Sequence, residues 1–346
     1  MKNLDKYLTL LQDHQGLLLT SRYSRHYGAQ FDIAEGVAIV TKRGCRYFTD
    51  SRYIESAENG IQGFEVLDIA GHGYIKRLND AIADFGVTEL GFEEPFLTYA
   101  DYMLYEKNLN CTLVPRNAEI NGFRGTKEDW ELELMRKAQA ITDKAFAEVC
   151  PRIKVGMTEL ELQAELIYCL YKNGATGLAF DPIVVSGPNT SLPHGVAGER
   201  VIREGDFITM DYGASYMGYC SDMTRTVAVG CATEEMQNVY NTVLKAQLAG
   251  LAASRAGVPG EAIDAAARNV ITEAGYGHSL GLEIHESPSP NAKNPEPMPL
   301  YAVASAEPGI YLPGKFGVRI EDTCVYLEDG IEILTASPKE LIVVPG

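Results

Sequence analysis

Short apolar runs with a period of two alternate with longer stretches of period near 3.6 along the first ~120 positions. GLLLTS (16–21), GVAIVT (36–41) and RYFTDS (46–51) read as strands, with a helix opening at Arg52 to Glu55. A helix over Tyr74 to Asp84, a strand over Glu89 to Phe92 and a helix over Tyr99 to Lys107 follow, which predicts an α/β unit. The rhythm lapses between Asn117 and Gly125. Thr126-Lys127-Glu128-Asp129 then carries a capping signature, and Trp130, Leu134, Ala138, Ile141, Ala145 and Val149 recur at helical spacing. A boundary is expected near residue 124, dividing the chain into 1–124 and 125–346.

Beyond that point the pattern repeats. Gly156 opens a helix that Gly174 closes 18 residues later, and Gly257 and Gly275 do the same at an offset of 101 residues. A longer helix precedes each (from Thr126, and from Thr233 to Arg255) and a hairpin follows each. The predicted order is helix, helix, hairpin, twice over.

The first hairpin is DFITMDYGASYMGYCSDMTRTVAVG (206–230), two β-branched apolar arms around a Gly/Ser/Tyr-rich middle. A turn centred on Tyr216-Met217 sets Asp211 directly opposite Asp222 and pairs Thr209 with Thr224 on the same face. Facing Cβ atoms lie about 5 Å apart, so two such carboxylates need a shared proton or a cation. Paired metal ions, about 3.5–4 Å apart in hydrolases, fit between them, with the threonines behind the carboxylates. Taken alone, the segment also reads as an exposed hairpin with two surface acids. The second hairpin, AEPGIYLPGKFGVRIED (306–322), turns at Pro313-Gly314-Lys315 and sets Glu307 opposite Glu321. One facing acid pair in each half of a repeat is a pattern that surface acids have no reason to follow.

Composition narrows the partners. Of 346 residues 46% are apolar, enough for a sizeable core, and the formal net charge of −17 argues against a nucleic-acid backbone or an anionic membrane as partner, because both need clustered Lys/Arg. No 18-residue apolar run occurs, and MKNLDKYLTLLQDHQ is charged throughout, unlike a signal peptide. Seven cysteines without a CxxC suggest neither a zinc knuckle nor a disulfide framework, so a cytoplasmic location is expected.

Four converging carboxylates form an oxygen-rich site for divalent ions, and a histidine suits it to Mn, Co, Fe or Zn. His278 and His285 lie in GYGHSLGLEIH (275–285), and His194 lies in SGPNTSLPHG (186–195) ahead of the first hairpin. Three of the six histidines thus crowd the acidic segments, while His14, His26 and His72 stand apart and receive no role.

These motifs carry a family resemblance. DYG…SDMTRT, GHSLGLEIHE, EPGIY and GVRIED, in that order, resemble the pita-bread metallopeptidases of the prolidase and Xaa-Pro aminopeptidase branch. LLLTSRYSRHY and YFTDSRYIESA resemble their creatinase-like N-terminal domain. The resemblance implies an α/β (α+β) architecture, a creatinase-like α/β domain followed by a pseudo-two-fold pita-bread catalytic domain. It implies two divalent ions, manganese first and Co2+, Zn2+ or Fe2+ as alternatives, with Asp211 on one, His278 and Glu307 on the other, and Asp222 and Glu321 bridging. It further implies His194 and His285 contacting the substrate carbonyl or tetrahedral intermediate and Phe180 lining an apolar pocket; Glu307 is placed for a general acid/base role, and Arg319, two residues before Glu321 on the same face, is placed with Thr224 behind the ligands. An exposed strand arginine remains an equal reading of Arg319.

The implied substrates are small proline-containing peptides, cut before proline, and relatives imply a homodimer. Prolidases often carry HExPR, whose arginine suits a dipeptide's carboxylate, whereas this chain has His285-Glu286-Ser287-Pro288-Ser289. That departure favours an Xaa-Pro aminopeptidase, with an Xaa-Pro dipeptidase and a non-catalytic binding protein on the same fold as the alternatives. PMPLYAVASAEPG (297–309) also departs from the Gly-Met usual before that strand.

Overall fold

A computed structural model describes residues 3–271 and 276–346, in two compact units, Met1–Phe123 and Arg124–Gly346. Gly275, the expected closing glycine of the second repeat, lies outside the described residues. Among the described residues no helix is long and apolar enough to cross a membrane.

The first unit runs α1 (Asn3–Thr9), β1 (Gln15–Leu19), α2 (Arg22–Ala29), β2 (Val37–Thr41), β3 (Gly44–Thr49), α3 (Ile54–Gly60), β4 (Glu65–Asp68), α4 (Gly73–Phe85), β5 (Glu89–Phe92), α5 (Tyr99–Asn108), β6 (Thr112–Pro115) and α6 (Asn117–Gly122). Its six described strands form one mixed sheet in the order β4-β3-β2-β1-β5-β6. Leu18, Ile39, Phe48, Leu90 and Phe92 pack on Leu78, Ala81 and Ile82 of α4. The apolar rhythm does not announce β4, β6 or α2. Both strands sit at sheet edges and are only partly buried, which weakens alternation. The α2 sequence RYSRHYGA is polar yet buried from Ser24 to Ala29, so tertiary packing decides it.

The second unit opens with α7 (Asp129–Val149) and α8 (Glu159–Lys172). Each starts on a reciprocal capping box, Glu128 with Glu131 and Thr158 with Glu161, so the first cap falls two residues after Thr126. Strands β7 (Gly177–Leu178), β8 (Ile183–Ser186), β9 (Phe207–Tyr212), β10 (Ala214–Tyr216), β11 (Tyr219–Cys220) and β12 (Met223–Val229) follow, and then α9 (Glu234–Ala253) and α10 (Gly260–Arg268). The chain ends with β13 (Val303–Ala306), β14 (Gly309–Leu312), β15 (Phe316–Arg319), β16 (Asp322–Leu327), β17 (Gly330–Ile333) and β18 (Val343–Val344). Helix, helix, hairpin thus occurs twice.

Side-chain alternation divides each hairpin between a core and a polar face. Ile208, Met210, Tyr212, Met223 and Val227 pack on Leu162 and Leu166 of α8 and on Ile141, Ala145 and Phe146 of α7. Ala304, Ala306, Cys324 and Tyr326 pack on Leu251 of α9 and Ile263 and Ala267 of α10. Burying each large apolar side chain contributes about 1.5–3 kcal/mol. The alternate positions, with Asp211, Asp222, Thr224, Glu307 and Glu321 among them, therefore share the opposite faces.

The first hairpin corrects the expected register. Asp211 pairs with Thr224 and Thr209 with Thr226, while Tyr216 pairs with Tyr219. The turn is Met217-Gly218, one residue later than expected, with φ of 50° and 84°. A two-residue hairpin turn of this hand needs positive φ at both centres, and glycine meets that need at the second. Asp222 is consequently diagonal to Asp211, and Gly213 stands across from it. A Cβ at Gly213 would collide with the Ser221 carbonyl. The error of two residues preserves the face, because side chains alternate with period two. The second hairpin keeps the expected register. Gly309 pairs with Arg319 on one side and Ala306 with Asp322 on the other, so Glu307 and Glu321 face each other between them.

Candidate metal centre

Glu321 and Asp222 come from different hairpins, and one backbone and one side-chain hydrogen bond draw their segments together. Glu321 N donates to Thr224 O at 3.1 Å, and Thr323 Oγ1 donates to Asp222 O at 2.8 Å. His278 enters from the chain before β13, where Ser305 N donates to His278 O at 2.7 Å and Glu307 N to Tyr276 O at 2.7 Å. Asp222, His278 and Glu321 each present one ligand atom, all within 4.8 Å of one another.

The imidazole orientation follows from hydrogen bonding. Nδ1 of His278 lies 3.2 Å from Ser279 O, which can only accept, so Nδ1 carries the proton and Nε2 faces the acids. Nε2 stands 3.1 Å from Glu307 Oε1 and 3.4 Å from Asp222 Oδ2. Ser305 Oγ donates to Glu307 Oε1 at 2.9 Å and accepts from the His278 backbone N at 3.0 Å, tying the Glu307 side chain to the His278 main chain. His285 stacks edge-on against His278 with ring centroids 4.3 Å apart.

Asp211 is engaged differently. One of its oxygens pairs with the Arg319 guanidinium, which also donates to Thr224 Oγ1 at 3.0 Å, Tyr311 Oη at 2.7 Å and Pro193 O at 3.2 Å. Thr224 Oγ1 in turn donates to Glu321 Oε2 at 2.6 Å. Arg319 is 5% exposed, so the reading of a surface strand arginine fails. Thr209 and Thr226 share a hydroxyl bond of 3.2 Å instead of backing the acids.

Burial pushes the Asp222 carboxyl up to about 7, with His278 pulling it back, and burial beside Asp222 and Glu307 raises Glu321 well above the carboxylate range. Burial works the same way on Glu307, but His278 and Arg319 outweigh it and hold that carboxyl low. His278 is held well above its ordinary value, since Asp222 and Glu307 overcome the desolvation that lowers it.

His194 and His285 are both solvent-exposed, and Phe180 is half-buried in the segment between β7 and β8. Sequence reasoning missed Ser305 and Tyr311, which touch the cluster through Glu307 and Arg319. It also missed the anchor of the His278–His285 segment, where Glu286 Oε2 accepts from Lys127 Nζ at 2.8 Å and Oε1 from Leu282 N at 3.0 Å. A glutamate next to a site histidine was a usable signal for that anchor. The distant lysine offered none.

The model of metallopeptidase family M24 matches residues 133–328, and that of the Creatinase/Prolidase N-terminal domain matches residues 2–125. A Pyrococcus horikoshii protein named Xaa-Pro dipeptidase is 36% identical over 266 residues, 74% of this chain and 76% of that protein. The solved Xaa-Pro dipeptidase of Bacillus anthracis superposes with a TM-score of 0.94 at 39% identity, covering 99% of both chains. The solved X-Pro aminopeptidase of Thermotoga maritima superposes with a TM-score of 0.92 at 34% identity, also over 99% of both chains.

Proposed function

The chain belongs to metallopeptidase family M24 and is a metallo-exopeptidase, and from that premise we propose that it hydrolyses the bond before proline in small peptides, with two divalent ions held by Asp211, Asp222, His278, Glu307 and Glu321. The observation that carries the reading is the pair of buried carboxylate oxygens, Asp222 Oδ1 and Glu321 Oε1, that have no hydrogen-bond partner among the described residues. Burying even a neutral polar group without a hydrogen bond costs on the order of 2–7 kcal/mol, and an ionised carboxylate costs more unless a cation pairs with it. Divalent cations fit that donor set. Four carboxylates with one imidazole suit hard to borderline ions, manganese first and cobalt, zinc or iron as alternatives.

Bound ions supply Lewis acidity that polarises the peptide carbonyl and acidifies the attacking water. Glu307, braced by Ser305, accepts the water's proton at its carboxylate and returns it to the leaving nitrogen. Partial desolvation of the ring edge that packs on His278, and the charge of His278 itself, lower His285, which favours a neutral ring with one N–H to donate to the carbonyl oxygen. His194 serves as a second donor, and Phe180 presents an apolar ring to the proline side.

On substrate length, the relatives named above support a dipeptidase more than the aminopeptidase that the absent arginine suggests. One observation favours the aminopeptidase: Ser289 Oγ donates to Glu286 O at 3.2 Å, so no cation for a dipeptide carboxylate projects from that position. The deciding experiment loads the protein with Mn2+ or Co2+ and compares Gly-Pro with Gly-Pro-Yaa peptides. Faster cleavage of Gly-Pro supports the dipeptidase, and preference for the longer peptides supports the aminopeptidase. Absence of hydrolysis of every proline peptide would leave a binding protein on this fold.

A further inference from the structure

Glu159 is a fully buried carboxylate outside the acidic cluster. It is the first residue of α8, directly after the capping Thr158. Its Oε1 accepts from Ser186 N at 2.7 Å, Ser186 Oγ at 2.8 Å and Asn189 Nδ2 at 3.1 Å. Its Oε2 accepts from Gly198 N at 3.1 Å and from the same Asn189 amide at 3.3 Å. Ser186 and Gly198 are the two ends of the loop that carries His194. A single carboxylate therefore fastens both feet of that loop to one helix.

The carboxylate does this without a direct cationic partner among the described residues. Arg200 donates to Ser186 Oγ at 2.6 Å and to Val201 O at 3.3 Å, and its charge is taken by Asp206 at 2.7 and 2.9 Å. Burying such a charge is costly, and it is offset here by five donor contacts and by the α8 N-terminus, which favours negative charge. The tip of the loop is held from the other side. Pro193 O accepts from Arg319, the arginine that pairs with Asp211, and Gly317 N donates to Thr190 Oγ1 at 2.8 Å. His194 directly follows Pro193, between that fixing and the Gly198 foot, and is itself exposed.

We propose that Glu159 is a positioning residue for His194: by fixing both feet of the 186–198 loop it sets where that imidazole meets the scissile carbonyl. The proposal rests on the reading of His194 as a substrate contact. An amide cannot replace this carboxylate, because in Glu159→Gln the side-chain nitrogen would meet N–H donors where an acceptor is needed. A misplacement of about 1 Å in such a site costs on the order of 10²-fold in rate.

The test is a double-mutant cycle on the Mn2+-loaded enzyme with Gly-Pro and Gly-Pro-Yaa substrates. Glu159→Gln should lower kcat/KM by about 10²-fold, and on a His194→Ala background it should change kcat/KM less than about twofold, the mark of two residues acting as one unit. An equal loss on both backgrounds overturns the proposal. Asn189→Ala, which leaves the carboxylate its backbone donors, should show the same non-additivity at smaller size if Glu159→Gln does not fold. Hydrogen exchange of the metal-free protein gives a readout independent of turnover: Glu159→Gln should speed amides of 187–198 by about tenfold or more while β9 is unchanged. Unchanged exchange in that loop overturns the proposal. Full activity of His194→Ala removes the reading of His194 and this inference with it, but leaves metal-dependent hydrolysis standing. Absence of all hydrolysis by the parent enzyme instead removes the proposed function.

Discussion

Thr224 Oγ1 donates to Glu321 Oε2 across 2.6 Å while it accepts from Arg319 Nε at 3.0 Å, so one hydroxyl aims a carboxylate of one hairpin from a strand of the other. Groups that orient ligands in this way are worth about 10–100-fold in metal affinity. Thr224→Val, isosteric but without the hydroxyl, should weaken divalent-ion binding by that range and leave the fold intact. Calorimetric titration of the metal-free protein with Mn2+, beside a thermal melt, measures both.

His278→Ala should abolish hydrolysis of Xaa-Pro peptides and reduce the bound metal from two equivalents toward one, read by elemental analysis after dialysis. Retained activity with full metal content would take His278 out of the site.

Metal affinity should fall as pH falls through about 7. Asp222 titrates near that value in the metal-free fold against 3.8 ordinarily, because burial favours its neutral form. An ion must therefore displace a proton there, and the raised His278 adds a second proton to displace. By linkage, a raised carboxyl binds more protons in the folded than in the unfolded state. Metal-free stability from this group therefore declines as pH rises from 3.8 toward about 7. The increase in Tm on adding Mn2+ should accordingly be larger at pH 8 than at pH 6, as a pair of melts would reveal.

Glu286 and Lys127 form a second test, one of stability. Both side chains are 2% exposed, and Lys127 with Arg124 overrides the upward push of burial to hold Glu286 below its ordinary 4.5. A lowered carboxyl contributes stability that is present above 4.5 and is lost as pH falls through the folded value. Lys127→Met leaves a buried charge with a weaker partner set and should cost about 3–5 kcal/mol at neutral pH. Urea unfolding at pH 7, with the acid-unfolding midpoint shifting upward, checks the direction.

The sheet-forming runs, the doubled order of helix, helix and hairpin, and the acids on one face of each hairpin were legible in the sequence, because each depends on a local period of two or 3.6. The Glu307–Glu321 register was legible as well, since Pro313-Gly314-Lys315 marks its turn without ambiguity. The Asp211–Asp222 register was not: Tyr216, Met217 and Gly218 offer two turn centres, and only the pairing of β9 with β12 chooses Met217-Gly218. Tertiary structure alone decided that Arg319 lies buried against Asp211, that Lys127 meets Glu286 and that Glu159 gathers both ends of the His194 loop. The physical reason is range. Backbone periodicity is written in neighbouring residues, whereas a buried charge selects its partner from whatever the folded chain brings within about 3 Å, and for Arg319 and Asp211 that contact spans 108 positions.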